Sequence, residues 1–375
     1  MSRRGQIQDR GENRWLVRAF LGRDPKTGTR RYHNKTIYGT KREASQYLTK
    51  VLRELDTGIY VEQSQVTLGD FLDKWLEVVA KPRVSPRTLA DYRGNLARYI
   101  RPALEERRLQ DLRPFEIQTL YAGMLERGLS PRTVRAAHAP LRSALDQAVK
   151  WQFVPRNPAR LVDLPKQPKQ ERRVLTAEEA SRFLVSARED RLHALWVVLL
   201  TTGLRPGEAL GLRWEDWEGD RLRVQRSLTR TAEGGWVLAE PKTSQSRRSV
   251  TLPGSTGEAL SAHRVNQSRE KLELGARYQD DGLVFCTAQG TPLDLPGVTR
   301  RHFHPILKAA GLERIQVYDL RHTCATLLLA AGEHPKIVSE RLGHASVTLT
   351  LDTYSHVLPD MQESAAKKLE GLLFG

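Results

Sequence analysis

Two arginines in the C-terminal half of the sequence stand at predicted helix boundaries where a guanidinium group would be held in place. Arg205 lies between Gly203, which should end an apolar helix, and Pro206, which should start the next one. Glu208, one helical turn further on, can orient its guanidinium. Arg321 begins another predicted helix in the segment DLRHT. Two planar guanidinium groups can hold one phosphate through bidentate hydrogen bonds, although each arginine taken alone is more often structural.

Four further side chains could take part in a reaction at such a phosphate. Lys242 lies between two predicted strands, where a lysine is usually solvated but is mobile enough to reach a leaving oxygen. His344 follows a glycine at a helix break, and Tyr354 lies ten residues beyond it. A tyrosine at such a place is usually a packing residue, and a phenol with a pKa near 10 attacks weakly unless it is assisted. Tyr318 precedes Arg321 by three residues.

The composition indicates a partner of negative charge. The 375 residues include 60 Lys and Arg against 44 Asp and Glu, a formal net charge of +16. Nucleic acid is the first candidate partner and an anionic membrane surface the second. The two cysteines, Cys286 and Cys324, suggest neither a disulfide framework nor a zinc site, and no apolar run of about 18 residues predicts a membrane span.

The length favours two or three domains, and the fold class expected is a multidomain one, mainly α with small antiparallel sheets. Residues 1–62 should form a basic β-hairpin, with strands at Arg14–Leu21 and Arg30–Tyr38, backed by one helix that begins after Thr40. A two-stranded ribbon fits the major groove of DNA. The basic residues that we expect to contact DNA there are Arg18, Arg30, Arg31 and Lys35. The alternative is that they are only the solvated face of a half-buried sheet.

Three further regions follow the hairpin unit. Residues 66–155 should be all-helical, and two of their helices begin with Ser-Pro-Arg-Thr, which places Arg87 and Arg132 at helix N-termini suited to phosphates. Ordinary scaffold helices begin in the same way. Residues 156–174 have the composition of a linker. Residues 175–375 predict helices around a small antiparallel sheet, with strands at 221–229, 236–240 and 247–252.

Taken together, five segments resemble the tyrosine recombinase, or phage integrase, family. They are LRPGE around Arg205, PKT at Lys242, DLRHT around Arg321, LGH at His344, and Tyr354 with the Ser-His that follows it. Their order and spacing both match the family. The resemblance covers the whole chain and is strongest over residues 175–358.

The resemblance implies a role for each of these residues. Arg205 and Arg321 would bind the scissile phosphate, with Glu208 in the supporting acidic position. Lys242 would protonate the leaving 5′ oxygen, His344 would hydrogen-bond the phosphate, and Tyr354 would be the nucleophile. The family usually has histidine where this chain has Tyr318, which can hydrogen-bond a phosphate but is a poor base at neutral pH.

The resemblance also implies a domain plan and an activity. Residues 1–62 resemble an arm-type DNA-binding domain, residues 66–155 a helical core-binding (SAM-like) domain, and residues 175–375 an α+β catalytic domain. The implied enzyme cleaves and rejoins double-stranded DNA at attachment sites through a 3′-phosphotyrosine and integrates or excises a mobile element. It would act as a homotetramer without a cofactor or a metal, in the bacterial cytoplasm at the nucleoid, with DNA-bending or excision factors as further partners.

Two other functions stay open on the sequence. A type IB topoisomerase uses similar chemistry, although the arm-like unit argues against it. A non-catalytic, sequence-specific DNA-binding protein would need no reactive tyrosine, although the complete set of arginines, lysine, histidine and tyrosine argues against it.

Overall fold

The computed structural model describes residues 5–25, 27–57, 60, 64–168, 173–231, 234–239, 247–344 and 346–351, the backbone of 352–354, and residues 366–367 and 369–374. Contacts within the chain divide it into two units, Met1–Lys169 and Gln170–Gly375. No described helix combines the length and the apolar character that crossing a membrane requires. Helices dominate and the sheets are small and antiparallel, which confirms the expected fold class.

The first unit opens with a sheet that is covered on one face by a helix. Its elements are β1 (Gly5–Asp9), β2 (Arg14–Arg23), β3 (Arg30–Tyr38) and α1 (Lys41–Asp56). Thr40 and Glu43 form a capping box at the start of α1, and Val17 and Ala19 of β2 are fully buried. The predicted two-stranded hairpin is therefore corrected to a three-stranded sheet of order β1-β2-β3. The short β1, with Ile7 between two glutamines, is too polar to show a strand period in sequence.

A helical cluster completes the first unit. Its helices are α2 (Leu68–Trp75), α3 (Pro86–Asn95), α4 (Arg101–Leu104), α5 (Pro114–Glu126) and α6 (Pro131–Lys150). The two Ser-Pro starts are confirmed, because Ser85 and Ser130 accept hydrogen bonds from the backbone N–H groups of Thr88 and Thr133. Trp75 lies at the centre of the buried core.

The first part of the predicted linker, 156–174, packs on this cluster. The Asn157 amide donates to the Arg142 carbonyl at 2.9 Å and to the Asp146 carboxylate at 2.7 Å. Ala159 is buried in the helical core, and Leu164 packs against it. Residues 157–164 are thus part of the folded cluster, because their apolar side chains pack on its core. A proline-rich composition alone does not predict this packing.

The second unit packs its other helices around one apolar helix. Its helices are α7 (Ala177–Ser186), α8 (His193–Thr202), α9 (Pro206–Leu210), α10 (Gly254–Leu274), α11 (Leu295–Val298), α12 (His304–Ala309), α13 (Asp319–Ala330), α14 (Pro335–Leu342) and α15 (Val347–Tyr354). Almost every residue of α8 is buried, and α10 and α13 pack against it. The apolar sequence of α8 thus makes it the centre of the core.

The described residues between α9 and α10 include five strands. They are β4 (Trp217–Glu218), β5 (Arg221–Val224), β6 (Ser227–Arg230), β7 (Trp236–Ala239) and β8 (Arg248–Thr251). They form a sheet of order β4-β5-β8 and a separate pair of β6 with β7. The predicted strand 221–229 is therefore wrong as a single strand. The chain leaves the sheet at Arg226, whose guanidinium donates to the buried Asp216 carboxylate at 2.9 Å.

Candidate active site

The turn between α8 and α9 holds Arg205. Gly203 ends α8 with φ of 65°, and a Cβ there would lie 2.4 Å from Leu342 Cδ2, so the turn requires glycine. The backbone N–H of Arg205 donates to Glu208 Oε2 at 3.0 Å, and its Nη1 donates to Glu208 Oε1 at 2.7 Å. Its Nη2 donates to the Gly343 carbonyl at 3.3 Å. The predicted contact with Glu208 is therefore present.

Arg321 is buried in the first turn of α13, with only 1% of its surface exposed. Its Nη1 donates to the Gly203 carbonyl at 2.7 Å, which ties it to the turn that carries Arg205. Its Nη2 is buried and has no hydrogen-bond partner among the described residues. Burial and the nearby charge of Arg205 lower the pKa of Arg321 to about 10, so it remains a cation at neutral pH. A buried cation with an unused donor is suited to bind an anionic oxygen.

Arg248 of β8 also belongs to this cluster, although no motif in the sequence points to it. Its Nη2 donates to Glu208 Oε2 at 3.0 Å, and both side chains are buried. Burial raises the pKa of Glu208, but the charges of Arg248 and Arg205 outweigh that effect and hold this pKa below its ordinary value. Strand alternation could have found Arg248, because it shares a face with the core residue Val250.

His344 comes directly after α14. Gly343 ends that helix with φ of 68°, and the His344 ring then meets α15, where Nδ1 lies 2.7 Å from the Thr350 hydroxyl. Burial, with the positive charges of Arg321 and Arg205, lowers the pKa of His344 to about 4. The imidazole is therefore neutral at neutral pH and can hydrogen-bond a phosphate without being protonated.

Tyr318 lies at the start of α13, three residues before Arg321. Its ring contacts that of His322, with centroids 5.2 Å apart and planes at 63°. The turn before the helix is fixed by Asp319, whose carboxylate accepts a hydrogen bond from the Gln316 backbone at 2.7 Å. Tyr318 is therefore placed one helical turn from a histidine, close to the buried arginine.

The structure does not describe the side chains of two predicted site residues. Lys242 lies outside the described residues, in the segment between β7 and β8. Tyr354 is the last residue of α15, four residues after Thr350, and its side chain is outside the described part of the structure. Thus Arg205, Glu208, Arg321 and His344 are brought together, and the placement of the lysine and the phenol stays a prediction.

The basic residues of the first sheet lie on different faces. Arg18 is on the face opposite α1, its guanidinium 3.8 Å from the centroid of the Tyr32 ring. Lys35 pairs with the buried Val17 and therefore lies on the helix side, 4.9 Å from the Tyr47 ring. One-residue offsets reverse the face of a strand, so Arg18 and Lys35 do not share one surface.

The remaining candidate DNA contacts are exposed. Arg30 and Arg31 start β3, and both are exposed. Arg87 lies in the first turn of α3, 3.4 Å from the Asp91 carboxylate, and Arg132 is exposed at the start of α6. All four could reach a phosphate.

The arginine cluster can neutralise a negative charge. Arg205 and Arg248 pair with the buried carboxylate of Glu208, and Arg321 is tied to the same turn through the Gly203 carbonyl. Among the described residues, no group of three His, Cys, Asp or Glu side chains is placed to hold a metal ion. The arrangement suits an anionic substrate whose charge grows during reaction.

Known proteins match the chain along its length. Residues 173–361 match the phage integrase family model, and residues 67–125 match that of the phage integrase N-terminal SAM-like domain. A "Tyrosine recombinase XerC-like" protein of Caldanaerobacter subterraneus subsp. tengcongensis is 31% identical over 393 aligned positions, covering 99% of this chain and 100% of the relative. The ICEBs1 integrase of Bacillus subtilis is 28% identical over 367, covering 96% and 97%.

Solved structures show the same fold. The Tn1549 transposon integrase in complex with a circular intermediate DNA has a TM-score of 0.68 at 21% identity and covers 81% of this chain and 99% of its own. A λ integrase tetramer bound to a Holliday junction has a TM-score of 0.58 at 21% identity, with 94% and 95% covered. With the family match across the cluster of Arg205 and Arg321, the chain belongs to the phage integrase family of tyrosine recombinases, enzymes that cleave and rejoin DNA at specific sites.

Proposed function

We propose that Arg205 and Arg321 bind the scissile phosphate and that Tyr354 attacks it. The observation that carries this assignment is the buried Nη2 of Arg321, which has no hydrogen-bond partner in the described part of the chain. Leaving a buried donor unpaired is costly, and a phosphate oxygen would satisfy it. The side chain of Arg205, 35% exposed, remains accessible to the same phosphate.

We infer the following reaction from these assignments. The Tyr354 phenol gives up its proton to solvent water as its oxygen forms a bond to phosphorus, while the bond to the 5′ oxygen breaks and Lys242 protonates that leaving oxygen. Arg205, Arg321 and the neutral His344 stabilise the charge that develops on the other oxygens. The product is a 3′-phosphotyrosine, which keeps the bond energy, so the 5′ hydroxyl of a partner strand can reverse the step without ATP.

Tyr318 takes a lesser part in this scheme. A phenol is too weak a base to accept a proton at neutral pH, so Tyr318 is assigned to hydrogen bonding of the phosphate. A neutral His344 whose Nδ1 accepts from the Thr350 hydroxyl would keep its other nitrogen protonated, ready to donate to the phosphate.

The remaining domains would deliver double-stranded DNA to this site. We assign residues 1–62 to arm-type sites, residues 66–155 to the core sites and residues 175–375 to catalysis. The Tn1549 and λ structures contain DNA, and one λ structure is a tetramer on a Holliday junction. By analogy this chain would act as a homotetramer at attachment sites on the nucleoid in the cytoplasm, with DNA-bending or excision factors as further partners.

A covalent trap tests the assignment. The protein is mixed with nicked duplexes drawn from the DNA that flanks its gene, and SDS-resistant protein–DNA adducts are measured for the wild type, Tyr354→Phe and Tyr318→Phe. We expect the adduct to disappear only in Tyr354→Phe. An adduct that persists in Tyr354→Phe would show that another residue is the nucleophile, and Tyr318 would be the first candidate.

Two other outcomes separate the alternatives. Tight, specific binding with no adduct from any of the proteins would favour a non-catalytic DNA-binding protein. Relaxation of supercoiled DNA without sequence preference would favour a type IB topoisomerase.

A further inference from the structure

We propose that Arg248 is a positioning residue for the recombination reaction, which holds Arg205 and the backbone before His344 in one arrangement. The inference rests on the roles proposed above for Arg205 and His344. Nothing in the motif pattern assigns a role to Arg248, and its contacts are what carry the inference.

The first set of contacts fixes the Glu208 carboxylate. Glu208 Oε1 accepts from Arg205 Nη1 at 2.7 Å, while Oε2 accepts from the Arg205 backbone at 3.0 Å and from Arg248 Nη2 at 3.0 Å. The side chains of Arg248 and Glu208 are only 7% and 4% exposed. Because both oxygens are engaged in a buried place, the carboxylate is held in one orientation and in turn orients the guanidinium of Arg205.

The second set of contacts fixes the end of α14. Arg248 Nε donates to the Arg341 carbonyl at 2.7 Å. A Cβ on Gly343 would lie 2.9 Å from Arg248 Nη1, so the guanidinium packs directly against that glycine. Gly343 precedes His344, and its carbonyl accepts from Arg205 Nη2. One side chain therefore contacts both the residue that orients Arg205 and the backbone that presents His344.

The position of Arg248 in the chain adds a third connection. It is the first residue of β8 and lies six residues after Lys242. The strand that follows the lysine segment is thus anchored to the arginine and histidine parts of the site by the same guanidinium. Positioning of this kind affects rate strongly, because a displacement of about 1 Å can cost about a hundredfold.

A purely electrostatic role makes a different prediction from a positioning role. If Arg248 supplied only positive charge, Arg248→Lys would retain most of the activity. A lysine has one compact ammonium group and cannot reproduce the separate Nε and Nη donors that bridge Glu208 and the Arg341 carbonyl. Positioning therefore predicts that Arg248→Lys is nearly as defective as Arg248→Met.

The experiment measures single-turnover covalent cleavage of the nicked duplex by the full-length protein. At saturating DNA, Arg248→Met and Arg248→Lys should both cleave about 10- to 100-fold more slowly than the wild type. Their DNA Kd should stay within about threefold, since a change confined to the transition state alters the rate and not the binding. The exposed neighbour gives the matched control, Arg247→Met, which removes one positive charge without touching Glu208.

A double-substitution cycle tests whether Arg248 acts through Glu208. Combined with Glu208→Gln, Arg248→Met should add less than half of its single effect on a logarithmic scale, because the two share one contact network. Fully additive effects, or wild-type cleavage by Arg248→Lys, would overturn the inference. The denaturation midpoint of Arg248→Met will show whether this variant is folded. If it is not, the cleavage rate of Arg248→Lys decides between positioning and a purely electrostatic role. Absence of an adduct from the wild type would instead refute the proposed function.

Discussion

His344 should stay neutral in the DNA-free protein at a pH where an ordinary histidine is protonated. Its pKa is lowered to about 4 from 6.5, first by burial and then by the charges of Arg321 and Arg205. Between these two values the unfolded chain binds a proton at this residue and the folded chain does not. Stability from this residue is therefore fully present above pH 6.5 and is lost as the pH falls toward 4.

The size of the effect follows from the shift. A difference of 2.5 pKa units corresponds to about 3 kcal/mol between the two protonation states, and solvent screening of a half-buried ring makes the real value smaller. Between pH 7.5 and pH 5, His344 should then contribute a loss of about 1–2 kcal/mol in the free energy of unfolding. Replacement by asparagine removes this contribution.

The direct assay is an NMR titration of the histidine ring protons, assigned by comparison with His344→Asn. We expect no titration of His344 between pH 8 and pH 5.5 in the free protein, and a higher midpoint in a Tyr354→Phe complex with DNA, because a bound phosphate offsets the charges of Arg321 and Arg205. A midpoint near 6.5 in the free protein would refute the reasoning, since it would mean that neither burial nor the arginines act on the ring.

Three further predictions concern the turn, the acid and the DNA-binding sheet. Gly203→Ala should lower the free energy of unfolding by about 1–3 kcal/mol, because the new methyl group meets Leu342 at a positive φ; urea unfolding that matches the wild type would contradict this. Lys242→Ala should slow cleavage about 100- to 10,000-fold, and a duplex with sulfur in place of the 5′ leaving oxygen should restore the rate, because a thiolate needs no proton to leave. No rescue would argue against the acid role. Arg18→Ala should reduce the slope of log binding constant against log salt by about one phosphate contact, and Lys35→Ala should change it less, because Lys35 lies on the helix side of the sheet; equal changes would show that the face does not matter.

Local sequence patterns predicted much of the fold. Serine and threonine caps before α1, α3 and α6 were visible from residue types alone, because a cap depends on residues three positions apart. In the same way Gly203 and Pro206 marked the turn that presents Arg205, and Glu208 was identified as its partner. The sequence itself supplied the family through its spaced motifs.

Contacts between distant segments were decided only by the tertiary structure. Arg248 contacts Glu208, 40 positions away in the sequence, and the Arg341 carbonyl, 93 positions away. Patterns within a short stretch of sequence do not predict pairs so far apart. The strand β1 also depends on a tertiary contact, because its backbone pairs with the edge of β2. Residue types determined which groups could hold a phosphate. The tertiary structure decided which of those groups have a shifted pKa or an unused hydrogen-bond donor. Both properties depend on burial and on neighbouring charges, which the chain brings together only on folding.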